Sequence, residues 1–165
     1  MVDGLFLIEN YKNVTAFNEK EVPAHILSEI LNCARITPTR KHPQDWKFVV
    51  IKNDSTKTKL ASITQVDCFN SAPILVAFFS KENTFYVEYT AAATQAMLIA
   101  ANYYNLGTHW HIINKADTGQ VNTLLNAPSE YHLMSITAFG YYNFAAPHFQ
   151  KMPSLSEMTL TEKFK

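Results

Sequence analysis

The stretch Pro38-Thr39-Arg40-Lys41-His42-Pro43-Gln44-Asp45-Trp46 packs hydroxyl, guanidinium, imidazole and amide groups into a few residues and ends in an aromatic anchor. It joins a helix-patterned segment to a strand-patterned one, and a polar loop on such a scaffold is well placed to hold a ligand. The plain alternative is a solvated connection with Trp46 plugged into the core. His109-x-His111 is a second constellation, because residues two apart on a strand share a face. It is half a metal site, but no carboxylate or cysteine completes it in sequence, so no metal is expected. The bland role for His109 is a hydrogen-bonded residue beside a pocket. Cys33 and Cys68 lack ligand spacing and read as buried free thiols, Cys33 as core and not as a nucleophile. Asp117 and Glu88 have no evident acid/base partner.

The elements that must position these groups follow from periodicity. Tyr86–Gly107 predicts a central helix that is apolar nearly all round, rich in Ala91, Ala92, Ala93, Ala96, Ala100 and Ala101. Either it is an ordinary core helix, or it is touched from several sides, a second subunit included. Gly107, past the last apolar turn, is the expected left-handed cap. Glu21–Ile36 repeats apolar residues at helical spacing, with Pro23 in its first turn and Pro38 beyond its end. Trp46–Lys52, Pro73–Ser80, Thr108–Ile113 and Leu133–Tyr142 read as strands, the second buried on both faces. Asp54–Thr64 reads as a helix capped by Asp54, and Ala116–Asn126 as a helix weakened by Gly119. A short helix is expected in Met1–Glu9, an irregular stretch in Asn10–Phe17, and helix potential in Ser154–Lys163. The result is an α+β fold: a mixed central sheet wrapped by helices, in a single domain over 1–165.

Composition narrows the function classes. The chain has 165 residues, 47% hydrophobic and 17% charged, enough for one sizeable core. Net charge is zero with no basic run, which argues against nucleic acid. Aromatic residues reach 13%, which suits an aromatic-lined pocket or interface as well as plain core filling. The four glycines are scattered, so a P-loop and the glycine-rich dinucleotide turn are both absent. With no signal-peptide pattern and no bilayer-length apolar run, a soluble cytoplasmic protein is expected, with no membrane association.

Five blocks, in order, resemble the FMN-dependent nitroreductase family. ILNCARITPTRKHPQDWKFVVI is similar to its Ala-Arg, Pro-Ser, Asn, Gln-Pro-Trp block through Ala34, Arg35, Pro38, Thr39, His42, Gln44, Trp46 and Phe48. Phe17, Val22 and Pro23 match the family's opening. NSAPILVAFF resembles its Ala-Pro strand, AAATQAMLIAANYYNLGTHWHI its central helix, and ITAFGYYNFAAP its closing strand. The resemblance implies a nitroreductase-like intertwined homodimer with FMN at the subunit interface and residues 145–165 as a C-terminal tail reaching over the partner. It also implies hydride transfer from NADH or NADPH to a small-molecule acceptor such as a nitroaromatic or a quinone. At this length the helical insertion of longer members has little room, so an open, unselective site is expected.

Carried over residue by residue, the resemblance implies phosphate and ribityl contacts from Tyr11, Lys12, Asn13 and Thr15. It implies ring and ribityl contacts from Pro38, Thr39, Arg40 and His42, a pyrimidine-edge contact from Gln65, and ring-facing positions for Gly107 and Thr108. The departures matter. Of the family's basic opening motif only Lys12 is cationic, and each lost charged hydrogen bond is worth about 1.5–3 kcal/mol. Arg40 and Lys151 are the candidate replacements. Arg40 either supplies positive charge at the flavin ring edge, or marks a remodelled, non-catalytic dimer that holds FMN poorly and binds another small ligand. Flavin chemistry of another kind, dehalogenation or ring fragmentation, ranks last.

Overall fold

Strand β2 (Ile74–Lys81) is covered on both sides, which explains its unbroken apolar run. Side chains alternate across a strand, so Leu75, Ala77 and Phe79 join one core cluster while Ile74, Val76 and Phe78 join the other. The computed structural model describes residues 3–40, 45–144 and 153–164. Its other strands are β1 (Trp46–Ile51), β3 (Gly107–Ile112) and β4 (Tyr131–Gly140), in the order β1-β2-β4-β3. All three pairings are antiparallel. The expected mixed sheet is thus α+β in class but antiparallel in its named strands, and the parallel pairing is an isolated bridge, Asn13 to Thr108.

Helices α2 (Ala24–Arg35) and α5 (Tyr86–Tyr103) cover one face. Their contact is built from Ile26, Leu27, Ile30 and Ala34 against Ala93, Met97 and Ala101. Helices α3 (Asp54–Thr64), α4 (Cys68–Ser71) and α6 (Lys115–Leu124) belong to the other face. Leu60, Ala61, Phe69 and Val121 fill the core there. Burying one such Leu or Phe contributes about 1.5–3 kcal/mol. Short α1 (Gly4–Glu9) lies on α5, where the Asn102 side-chain amide donates to Leu7 O at 2.8 Å.

Several expectations are corrected. Asn53, not Asp54, caps α3, its side chain accepting from Thr56 N at 3.1 Å; Asp54 sits in the first turn, where a carboxylate suits the helix dipole. The left-handed residue after α5 is Asn105 (φ 56), not Gly107. Leu106 N then donates back to Ala101 O, a Schellman closure that drives Leu106 into the core. The same closure recurs at Gln65 and Asn126. In the tail, helix α7 covers only Leu155–Met158, closed by a Ser154–Glu157 capping box. Helix α4 had no sequence signal, being a single turn. Cys68 is buried but Cys33 only half so.

Helix α5 is the central helix, yet its own chain buries only one flank: Thr90, Ala93, Thr94, Met97, Leu98 and Ala101. Ala92 and Tyr103 are exposed, with Ala96 and Ile99 half-buried between them. Those four positions repeat at helical spacing, so a second apolar stripe remains open. Among the described residues, no helix is long and apolar enough to cross a membrane.

Candidate functional site

The segment Tyr11–Thr15 runs beside the edge strand β3 and is stitched to it at one residue. Thr108 N donates to Lys12 O at 3.0 Å, Val14 N donates to Thr108 O at 2.9 Å, and the Thr108 hydroxyl lies 3.4 Å from Lys12 O. The Tyr11 hydroxyl also engages the Thr108 side chain, and burial pushes its pKa up. Tyr11, Lys12 and Asn13 are half-buried, while Thr15 is exposed beside a recess of about 230 Å³ formed with Phe17, Asn143 and Phe144.

Gly107 and Thr108 serve this segment instead of presenting themselves to solvent. A Cβ on Gly107 would fall 2.7 Å from Val14 Cγ2 and Tyr142 Cδ1, so only glycine lets Val14 close over the strand. Thr108 is 1% exposed. The neighbouring His109 bonds to the Val14 backbone, and both His109 and His111 set ring edges against Phe69, at 6.3 and 6.1 Å between centroids. The two imidazoles do share a face. Burial lowers both pKa values; for His109 the facing His111 lowers it further, while Asp117 works the other way on His111.

The second group sits at the far end of α5. The α2 C-terminus is closed by Thr37, whose hydroxyl donates to Cys33 O at 3.1 Å. The chain then passes exposed Pro38 and half-buried Thr39 to Arg40. The Thr39 hydroxyl is buried and has no hydrogen-bond partner among the described residues. Arg40 N donates to the Tyr89 hydroxyl at 3.1 Å, and that hydroxyl lies 3.5 Å from Arg40 O. Tyr89, on the first turn of α5, escaped the sequence reading; one more tyrosine at a helix start carries no local signal. His42 and Lys151 lie outside the described residues. Gln65 is in neither group: it caps α3 across the sheet from α2 and α5, its amide turned back to Ser62 O. Trp46 is plugged into the core, as the plain alternative has it, 7% exposed and edge-on to Phe78.

One chain therefore keeps its candidate residues in two places. From Tyr89 to Tyr103 the helix spans about 21 Å, with Pro38–Arg40 at its start and Tyr11–Asn13 just past its end.

Residues 14–83 match the family model described as the nitroreductase family. A protein of Methanothermobacter thermautotrophicus, provisionally named NADH dehydrogenase/NAD(P)H nitroreductase, is 22% identical over 148 residues, covering 85% of this chain and 78% of that one. Among solved structures, an FMN-dependent nitroreductase from Clostridium difficile superposes with a TM-score of 0.88 at 17% identity, over 97% of this chain and 99% of that one. An iodotyrosine deiodinase bound to FMN and 3-iodo-L-tyrosine gives 0.87 at 20% identity, over 98% and 100%. These identities speak for the fold, and the matched segment carries both the loop after α2 and the strand pair β1–β2. Residues 14–83 thus match the nitroreductase family model, and the chain as a whole has the fold of these two structures.

Proposed function

We propose that the protein is an FMN-dependent NAD(P)H oxidoreductase of nitroreductase type, acting as a homodimer. The observation that carries this is the split of the candidate site between the two ends of α5. A ligand that touches both groups must draw them from two chains. The open stripe Ala92, Ala96, Ile99 and Tyr103 offers a surface for the second copy. Small residues on that stripe let a partner backbone approach closely. Residues 145–165 would serve as a tail reaching over this partner; of its described part, Leu155, Met158, Leu160 and Phe164 are all exposed in a single chain.

The residues present fit a flavin. The buried Thr39 hydroxyl, without a partner among the described residues, is a hydrogen-bonding group suited to a ligand atom, and the adjoining Arg40 is exposed. Pro38, Thr39, Arg40 and His42 would contact the ring and ribityl chain. Tyr11, Lys12, Asn13 and Thr15 would hold the ribityl and phosphate end, with Lys151. Gly107 and Thr108 keep that segment in register. When bound, FMN would supply the hydride chemistry for ping-pong reduction of a nitroaromatic, quinone or similar acceptor at the expense of NADH or NADPH. The protein's own part is placement and charge. Arg40 brings a cation to the ring edge, and Lys12 a charge-assisted donor to the phosphate.

The test is direct. Purified protein should be yellow, should oxidise NADH or NADPH when an acceptor is present, and should run as a dimer in light scattering. Colourless protein that fails to take up added FMN sinks the proposal. It would favour the second reading, a remodelled dimer that holds FMN poorly and binds another small ligand, which the single described cation of Tyr11–Thr15 supports.

A further inference from the structure

We infer that Tyr89 is a positioning residue: its hydroxyl fixes the Pro38–Arg40 loop where a ligand can use it. The inference rests on the function proposed above and adds a residue to it.

Three observations carry it. First, one hydroxyl serves both backbone groups of one residue, accepting from Arg40 N at 3.1 Å and standing 3.5 Å from Arg40 O. Between Thr37, bonded to Ala34 and Cys33, and this contact, no other hydrogen bond to residues 38–40 is present among the described residues. Second, the tyrosine is itself held. It is partly buried against the α2–α5 core, its backbone N–H bonds to Phe85 O at 3.0 Å, and its ring packs on Phe85 at 5.9 Å. A hydroxyl on a helix locates a loop better than a hydroxyl on another loop. Third, Thr39, whose buried hydroxyl lacks a partner among the described residues, lies between the two tethers. The chain is therefore held on both sides of it, Thr37 to Cys33 and Arg40 to Tyr89. Phenylalanine at 89 would preserve the ring packing and remove only the tether.

The experiment compares Tyr89→Phe with Tyr86→Phe, a tyrosine of the same helix whose ring lies against His132, and with the unaltered protein. Amide hydrogen exchange at Arg40 is followed by NMR without added flavin, and FMN affinity by titration of the visible flavin bands. In Tyr89→Phe the Arg40 amide should exchange at least several-fold faster, and FMN should bind about three- to tenfold more weakly, the worth of one hydrogen bond. Tyr86→Phe should change neither. A merely structural role would lower the melting temperature and leave FMN affinity of the folded protein alone, so unchanged affinity overturns the inference. Unchanged exchange at Arg40 overturns it too, whatever the cofactor. If the unaltered protein binds no FMN, the proposed function falls, and the exchange comparison still decides whether the tether exists.

Discussion

The two halves of the candidate site are held in opposite ways. Tyr11–Thr15 is built into the edge of the sheet through backbone bonds to Thr108 and through Val14 packed on Gly107. Pro38–Arg40 hangs from a helix end and one tyrosine hydroxyl. Backbone pairing resists substitution because every residue except proline offers the same N–H and C=O. A single side-chain tether does not. The sheet-bound half can therefore change its side chains and still keep its path, whereas the path of the loop depends on one side chain.

The largest way to break this contrast is at Gly107. Gly107→Val puts new atoms where Val14 and Tyr142 already sit, and overpacking of this kind costs about 1–3 kcal/mol. Melting temperature should fall by several degrees, and FMN affinity with it; an unchanged melting curve would mean the segment is not clamped there. Next is Lys12→Gln, which should weaken FMN binding by about 1.5–3 kcal/mol while leaving the apo protein's stability nearly unchanged. Equal affinity would remove Lys12 from the phosphate site.

Thr39→Val sharpens the comparison by separating stability from binding. Removing an unpartnered buried hydroxyl should stabilise the apo protein by about 1 kcal/mol yet lower FMN affinity. A loss in both would show that the hydroxyl already has a protein partner.

The smallest effect is in pH. His109 and His111 have folded pKa values below the ordinary 6.5, chiefly through burial. Between the folded and the ordinary value the unfolded chain binds more protons, so stability is complete above about pH 6.5 and declines as pH falls through that range. His109→Phe should flatten this decline in denaturant titrations; an equally steep decline would place its origin elsewhere. At the alkaline end Tyr11, with its pKa raised above 10, acts in the reverse sense. Its contribution is complete below 10 and is lost as pH rises through the raised value.

Much of this was legible in the chain itself. Period 3.6 in Ile26, Leu27, Ile30 and Ala34 located α2, and the unbroken run at Ile74–Ser80 located β2, because burial on one or two faces leaves a local trace. Local cap chemistry was less legible. Asn53 and Asp54 are both good caps, and only the helix start in space decides between them.

The candidate site divides along the same line. The residue types of Tyr11–Thr15 and Pro38–His42, and the family they resemble, were determined by the sequence alone. That Gly107 serves close packing and not a left-handed turn, that Tyr89 reaches Arg40 forty-nine positions away, and that Gln65 stands apart were decided only by tertiary structure. So was the separation of the two groups by the length of α5. The physical reason is range: periodicity and capping act over a few residues, while strand order and helix packing bring together groups whose spacing in the chain carries no sign of it.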